Sequence, residues 1–247
     1  MTPEQAVERA LARAKEARAE HGIQTDGERL TALPKQDFLT NAASLVAKWT
    51  VRFQRGDTCT MPLRPVQAAM LEVCQWAADL DDPVGAFLNV GVGMGKTLFS
   101  MLAPEIFNAK RPLLLVPASM RGQLEGDFFE WSKHYKFRLR YSNVVYYSEL
   151  SRPEATALLK DYDPDLIILD EGHLLRHATA ARTKRFIRYL RENPDTRVVV
   201  MSGTLTTTGI CDYAHLAEIA LRQYSPLPSH DKDIDMMGSV INAGGEP

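Results

Sequence analysis

The chain has 247 residues, 45% of them hydrophobic and 24% charged, with a formal net charge of −2. These are the proportions of an ordinary folded protein, long enough for one large α/β domain with an appendage. They exclude a global basic field, so any contact with nucleic acid has to come from a local patch. The three cysteines, Cys59, Cys74 and Cys211, are odd in number and far apart, and none forms a CxxC pair. Neither a zinc knuckle nor a disulfide framework is indicated, and a reducing compartment is expected. No run of 18 apolar residues and no signal peptide is present, so the expectation is a cytoplasmic protein that makes no use of a membrane.

In chain order, residues 2–21 carry a helix start signal: Thr2 as N-cap, Pro3 at the first helical position and Gln5 three residues after Thr2. The apolar face of this segment is mostly alanine and buries little area. Residues 22–34 are polar and read as a linker. A second amphipathic helix is predicted over about 36–54, with Phe38, Leu39, Ala42, Leu45, Val46, Trp49 and Phe53 on one stripe that faces a core. Residues 1–60 are therefore expected to form an N-terminal helical extension without chemistry of its own.

Leu63-Arg64-Pro65-Val66-Gln67 opens the next helix, which runs towards Trp76. The Gln67 amide offers both a donor and an acceptor, as reading an adenine edge requires. Then comes Gly85-Ala86-Phe87-Leu88-Asn89-Val90-Gly91-Val92-Gly93-Met94-Gly95-Lys96-Thr97, an apolar run, three alternating glycines, a lysine and a threonine ahead of a helical pattern. Strand, glycine loop and helix in that order make a phosphate cradle: backbone N–H groups turn inward, and the helix start adds its free N–H groups and positive dipole end. The strict phosphate-loop pattern wants a glycine where Val90 stands, so the fit is to Gly93-Met94-Gly95-Lys96-Thr97. Lys96 suits the β and γ phosphates and the Thr97 hydroxyl suits Mg²⁺.

Leu113-Leu114-Leu115-Val116, ended by Pro117, reads as a buried parallel strand. A helix is predicted over 118–131, a strand over 144–147, and a short helix capped by Ser151. Leu166-Ile167-Ile168-Leu169 is a further buried strand, ending in Asp170-Glu171. A basic helix is predicted over 174–191, then a strand over 197–201 ended by Ser202-Gly203-Thr204, then a helix over about 212–222. Beyond Tyr224 the chain is polar and punctuated by Pro226, Pro228 and Gly238, and residues 224–247 read as a linker or tail.

Alternating strands and helices imply an α/β fold with a central, mainly parallel sheet flanked by helices. In such sheets ligands bind beyond the strand carboxyl ends. The glycine loop, Pro117, Asp170-Glu171 and Ser202-Gly203-Thr204 all fall there. Asp170 is placed to hold Mg²⁺, Glu171 to polarise an attacking water, and His173 to bond across to Ser202 or Thr204. His173 and His177, four apart, are also a conceivable metal pair, but no third ligand follows at a recognisable spacing.

This set of residues resembles the first RecA-like domain of a superfamily-two helicase or translocase. Leu63-Arg64-Pro65-Val66-Gln67 is similar to that family's glutamine motif, Gly93-Met94-Gly95-Lys96-Thr97 to its motif I, and Leu114-Leu115-Val116-Pro117-Ala118-Ser119 to motif Ia. Asp170-Glu171-Gly172-His173 resembles its DExH box, and Ser202-Gly203-Thr204 its motif III. The resemblance covers about residues 61–223 and leans towards Swi/Snf-like and phage-type translocases, hence towards DNA over RNA. It implies a RecA-like P-loop NTPase domain with ATP and Mg²⁺ as ligands. Arg64 and Gln67 would lie on the adenine side, and Lys96, Asp170, Glu171 and His173 in the catalytic set. Ser202, Gly203 and Thr204 would couple nucleotide state to grip, and Pro117, Ser119 and Arg121 would meet a nucleic-acid backbone.

The family also uses a second RecA-like domain that supplies an arginine finger. No Gln-x-x-Gly-Arg-x-x-Arg run follows Thr204, so a second domain in cis or in trans is expected, and slow hydrolysis by this chain alone. Two other readings remain open at this point. One is a different P-loop NTPase, such as a small-molecule kinase, which would have no need of Gln67 or the Ser-Gly-Thr set. The other is a nucleotide-gated interaction module that docks a partner through residues 1–60.

Overall fold

A computed structural model describes residues 41–56, 61–152, 154–203, 212–228 and 231–242. The predicted helix over 2–21, the linker over 22–34, Phe38, Leu39 and Thr204 lie outside them. The strands are β1 (Ala86–Asn89), β2 (Pro112–Val116), β3 (Val144–Tyr146), β4 (Leu166–Leu169) and β5 (Arg197–Ser202). They form one sheet in the order β1-β5-β4-β2-β3. Every pairing is parallel.

The continuous apolar runs of β2 and β4 follow from coverage of both faces. Side chains alternate across the sheet. Leu114, Val116, Leu166, Ile168, Val199 and Met201 join one core cluster, and Leu113, Leu115, Ile167, Leu169, Val198 and Val200 join another. Four helices cover the first face: α1 (Ala42–Phe53), α2 (Pro65–Ala78), α3 (Lys96–Ile106) and α4 (Arg121–His134). Four cover the second: the single turn α5 (Tyr147–Leu150), α6 (Ala155–Tyr162), α7 (Ala181–Glu192) and α8 (Ala214–Leu221). Among the described residues no helix is long and apolar enough to cross a membrane.

The stripe predicted for the second helix is core-facing in α1. Trp49 and Phe53 are buried with their rings stacked 5.9 Å apart, and the Trp49 indole N–H donates to Glu72 on α2 at 2.8 Å. Lys136 donates its backbone N–H to the Phe53 carbonyl at 2.7 Å, so α1 is tied to the end of α4 as well.

Four local expectations are corrected. The predicted basic helix over 174–191 is split: a 3-10 turn covers Gly172–Leu175 and α7 starts only at Ala181. His173 and His177 therefore do not share a regular helix face. The 3-10 turn Ala118–Met120 precedes α4, which then runs on to His134. Ser151 ends the turn α5 instead of capping the helix after it, because the chain turns helical directly at Tyr147. The expected tail contains α9 (Asp231–Asn242), with Ile234 buried. Its apolar residues at 234, 237 and 241 have helical spacing, which the prolines and Gly238 outweighed in the sequence reading.

Candidate functional site at the strand carboxyl edge

Because all five strands run the same way, β1, β2, β4 and β5 end on one edge, and the loops after them meet there. The glycine loop leaves β1 and is pinned to β5 by the Val90 N–H, which donates to the Ser202 carbonyl at 2.9 Å. Gly93 and Gly95 sit at φ +79° and +84°, the left-handed region that side chains avoid, and Gly95 is the N-cap of α3. The free N–H groups at the start of α3 thus face the loop's concavity.

The loop is held from behind by α2. Pro65 suits the first helical position of α2, and Gln67 accepts the Arg64 backbone N–H at 2.9 Å, closing the helix start. The Gln67 amide then donates to the Gly95 carbonyl at 3.1 Å, and the Arg64 guanidinium donates to the Gly93 carbonyl at 2.7 Å. Both residues were expected on the adenine side of a nucleotide. In this structure their observed bonds brace the glycine loop.

Lys96 is buried at 8% exposure and turned back on its own loop. It donates to the carbonyls of Val90 at 3.2 Å and Gly91 at 3.4 Å, and its ammonium lies 3.0 Å from Glu171 Oε1. β5 separates β1 from β4, a gap of about 10 Å at ordinary strand spacing. The Lys96–Glu171 pair spans that gap over the end of β5 and joins the two motifs that the sequence singled out.

Glu171 adopts φ +55°, in the left-handed region, as N-cap of the turn Gly172–Leu175. A non-glycine residue held there costs about 1–3 kcal/mol and persists where its surroundings impose it. Its second carboxylate oxygen lies 3.3 Å from His173 Nδ1, and that nitrogen lies 3.1 Å from the Ser202 hydroxyl. Lys96, Glu171, His173 and Ser202 thus form one polar chain from β1 through β4 to β5.

Asp170, the first residue after β4, is 3% exposed. Its backbone N–H donates to the Leu115 carbonyl at 2.9 Å, and its carboxylate receives the Glu171 backbone N–H. Oδ1 has no hydrogen-bond partner. Burial first, and then the neighbouring Glu171 charge, push its pKa up to about 6, against the pull of Lys96. A buried carboxylate with a vacant lone pair facing a lysine is a site that a cation would complete.

A cleft of about 420 Å³ opens over these groups. It is lined by Arg64, Gln67, Gly93, Gly95, Lys96, Thr97, Asp170 and Glu171, and on its far wall by Gln123, Asp127 and Trp131 of α4. The α4 residues were missed by the sequence reading; Gln123 and Asp127 are four apart and hydrogen-bonded at 3.2 Å, an exposed pairing that looks like ordinary helix surface until the fold sets it at the cleft wall. A basic hollow of about 570 Å³ near Lys110, Arg138 and Arg140 lies at the opposite edge, where β2 and β3 begin, and gathers none of these groups.

The expected backbone-contact residues follow β2 at the same carboxyl edge. Ser119 is exposed and Pro117 half-buried. Arg121 is engaged: it lies 3.3 Å from Glu149 and its guanidinium sits 4.2 Å from the Tyr146 ring centre. Met94, at the loop tip, is 46% exposed. Gly203 follows Ser202 directly and packs against the glycine loop, its ideal Cβ position 3.0 Å from the Val90 carbonyl.

No protein-family model matches the sequence, and no curated protein matches it.

Proposed function

We propose that the chain is the RecA-like, ATP-binding motor domain of a nucleic-acid-dependent ATPase of the helicase or translocase type, cytoplasmic and with DNA favoured over RNA. The observation that carries this reading is the convergence on one strand edge of a braced glycine loop, a buried lysine and an Asp-Glu pair, joined by the 3.0 Å Lys96–Glu171 contact.

The residues present suit Mg²⁺ with a nucleotide. Mg²⁺ takes one or two protein oxygens and leaves its other positions to water and phosphate. The vacant Oδ1 edge of Asp170 and the half-buried Thr97 hydroxyl on the cleft wall match that demand. When bound, the ion would neutralise charge on the phosphate oxygens. The start of α3 and the loop N–H groups would hold the phosphates. Lys96 would exchange the Val90 and Gly91 carbonyls and Glu171 for phosphate oxygens. Glu171, released from Lys96, would be free to orient the attacking water. His173 would pass the change at Glu171 to Ser202 at the end of β5, and so to whatever β5 and its following loop engage. Gln67 retains one amide hydrogen and one lone pair for an adenine edge.

The cleft also favours a second domain. Arg64 is the arginine among the described cleft-lining residues, and one of its N–H groups donates to the Gly93 carbonyl at the loop itself. An arginine supplied from elsewhere is worth about 10³-fold or more in phosphoryl transfer. We therefore expect this chain alone to bind Mg-ATP and turn it over slowly.

The test is Mg-ATP hydrolysis by the chain with and without single- and double-stranded DNA and RNA, beside Lys96→Ala and Glu171→Gln. Binding lost in Lys96→Ala, with slow turnover raised by a polymer or by an added second domain, is the expected result. Binding that ignores Lys96→Ala would remove the reading, and phosphate transfer to a metabolite without any polymer would replace it with a kinase.

A further inference from the structure

The carboxyl edge offers a polymer little uncommitted positive charge. Of the residues expected there to meet a nucleic-acid backbone, Pro117 and Ser119 are neutral, and Arg121 lies 3.3 Å from Glu149 with its guanidinium over the Tyr146 ring. The cleft beside them carries Asp127, Asp170 and Glu171. In a chain of net charge −2 a grip on phosphates needs a local patch, and the fold assembles one at the other end of the sheet.

β2 and β3 are parallel neighbours, so the loop entering β2 and the segment entering β3 meet at the amino edge. Together they wall the hollow of about 570 Å³. The length of β2, five residues, separates it from the carboxyl edge, about 17 Å at ordinary strand rise. From Lys136 to Arg140 exposure alternates. Lys136, Arg138 and Arg140 are exposed, Phe137 packs against the first core cluster, and Leu139 is buried in it. Burial of the two apolar residues thus sets all three cations on the outer side of one segment. Lys110 joins them from the β2 side, where Asp165 accepts its backbone N–H at 2.7 Å and that of Arg111 at 3.0 Å.

The side-chain polar groups of the hollow are free to donate. Asn143 Oδ1 already accepts the Arg140 backbone N–H at 3.2 Å, which leaves the amide nitrogen as donor, and the Ser142 hydroxyl is exposed. Arg138 is partly neutralised, 3.0 Å from Glu105 and donating to Asn108 at 2.9 Å. Lys110 and Arg140 form no ion pair with any described residue, and among the described residues no carboxylate lines the hollow. Two unpaired cations, a third shared one, a hydroxyl and an amide in one concavity suit a row of phosphate oxygens.

We infer that this hollow is a second nucleic-acid contact, taking backbone phosphates at the amino edge of the sheet. Lys110 and Arg140 pair with the phosphates, and Ser142 and Asn143 donate hydrogen bonds to them. Contacts of this kind position a polymer without reading its sequence. The site uses no residue of the nucleotide cleft and goes beyond the reading proposed for that cleft.

The test is fluorescence anisotropy of a labelled single DNA strand of about 20 nucleotides with the full chain, nucleotide-free, between about 50 and 200 mM salt. The variant Lys110→Ala/Arg140→Ala is compared with Lys184→Ala/Arg188→Ala, which removes the same charge from exposed positions on α7. The hollow variant should bind about 10-fold or more weakly at the lowest salt. Its slope of log affinity against log salt should be shallower by about 1.4, the value for two lost phosphate contacts on a single strand. The α7 variant should bind within about 3-fold of wild type, and the charge-keeping Lys110→Arg/Arg140→Lys as wild type does. Equal losses in the hollow and α7 variants overturn the inference, because net charge then explains the binding. Wild-type affinity in the hollow variant overturns it, and so does loss of binding in the charge-keeping variant. Binding of inorganic phosphate or of phosphatidylserine vesicles through Lys110 and Arg140, without binding of the strand, overturns it in favour of a small anion or a lipid surface. The proposed cleft function fails separately: a chain that ignores Mg-ATP but grips the strand through Lys110 and Arg140 keeps this inference and loses that reading.

Discussion

Gln67 stands directly against Gly95: its amide nitrogen donates to the Gly95 carbonyl at 3.1 Å, and a Cβ at residue 95 would lie 2.2 Å from that nitrogen. The same amide accepts the Arg64 N–H, so the start of α2 and the floor of the glycine loop share one side chain. Gly95→Ala meets two obstacles, the left-handed φ of +84° and the Gln67 amide. The backbone conflict alone costs roughly 1–2 kcal/mol. Gln67→Ala leaves the backbone free but unbraces the loop. Both variants should lose nucleotide affinity, and only Gly95→Ala should also lower the melting temperature by several degrees. Equal nucleotide affinity in wild type and Gln67→Ala would show that the loop holds its shape without α2.

The Lys96–Glu171 pair makes a second prediction with a definite sign. The pair is half shielded, Lys96 nearly buried and Glu171 about one-fifth exposed, and on the proposed reading a nucleotide displaces it. Glu171→Gln removes the competing carboxylate while keeping its shape. Nucleotide binding should stay equal or tighten, while turnover falls by about 10²- to 10⁴-fold on the water-orienting role proposed for Glu171. Weakened binding in this variant, measured by titration of a non-hydrolysable ATP analogue, would mean that Glu171 holds Lys96 in place and does not restrain it.

The parts of the fold that could be read in the sequence are those where one physical cause dominates. The runs at 113–116 and 166–169 are apolar at every position, and burial on both faces is the simple explanation. Gly93 and Gly95 are where the chain needs positive φ, and Asp170-Glu171 follow an apolar strand, so their placement at a carboxyl edge came from order alone. What was not legible depended on partners distant in the chain. The basic stretch 174–191 has helical spacing throughout, yet Gly172–Leu175 is drawn into a tight turn under β5, where Gly172 leaves no room for a Cβ beside Val200. Gln67 and Arg64 carry the right chemistry for an adenine, but only the approach of α2 to the loop shows which carbonyls they hold.

Trp49 tests whether α1 belongs to the structural unit that carries the site. It is fully buried, stacks on Phe53 and donates to Glu72, which also receives Lys48 at 2.7 Å. Trp49→Ala should cost about 3–5 kcal/mol from the cavity alone. Trp49→Phe keeps most of the packing and loses the bond to Glu72, a cost of about 1–3 kcal/mol for a charged acceptor. Urea unfolding of both variants should show single transitions ordered wild type, Phe, Ala. An early separate transition in the Ala variant, with the remainder unfolding as wild type, would make α1 an independent attachment.

Asp170 gives the chain a pH dependence whose direction follows from its burial. Its pKa rises from 3.8 to about 6 on folding, so the folded state binds this proton more tightly than the unfolded state. The stabilisation from that proton is complete below about pH 4 and is lost as pH rises through 6. The interval corresponds to roughly 3 kcal/mol, the penalty of holding the ionised carboxylate in the free protein at neutral pH. Asp170→Asn should therefore be more stable than wild type at pH 7.5 by about 1–3 kcal/mol and nearly equal to it at pH 4, while losing Mg²⁺-dependent nucleotide binding. On the proposed reading Mg²⁺ displaces the same proton in the wild type, so the metal's contribution to nucleotide affinity should weaken as pH falls below about 6. Denaturation curves at a series of pH values, with and without Mg²⁺ and ADP, measure both effects. A stability difference between wild type and Asp170→Asn that is the same at pH 4 and pH 7.5 would show that packing, and not ionisation, sets the cost of this residue.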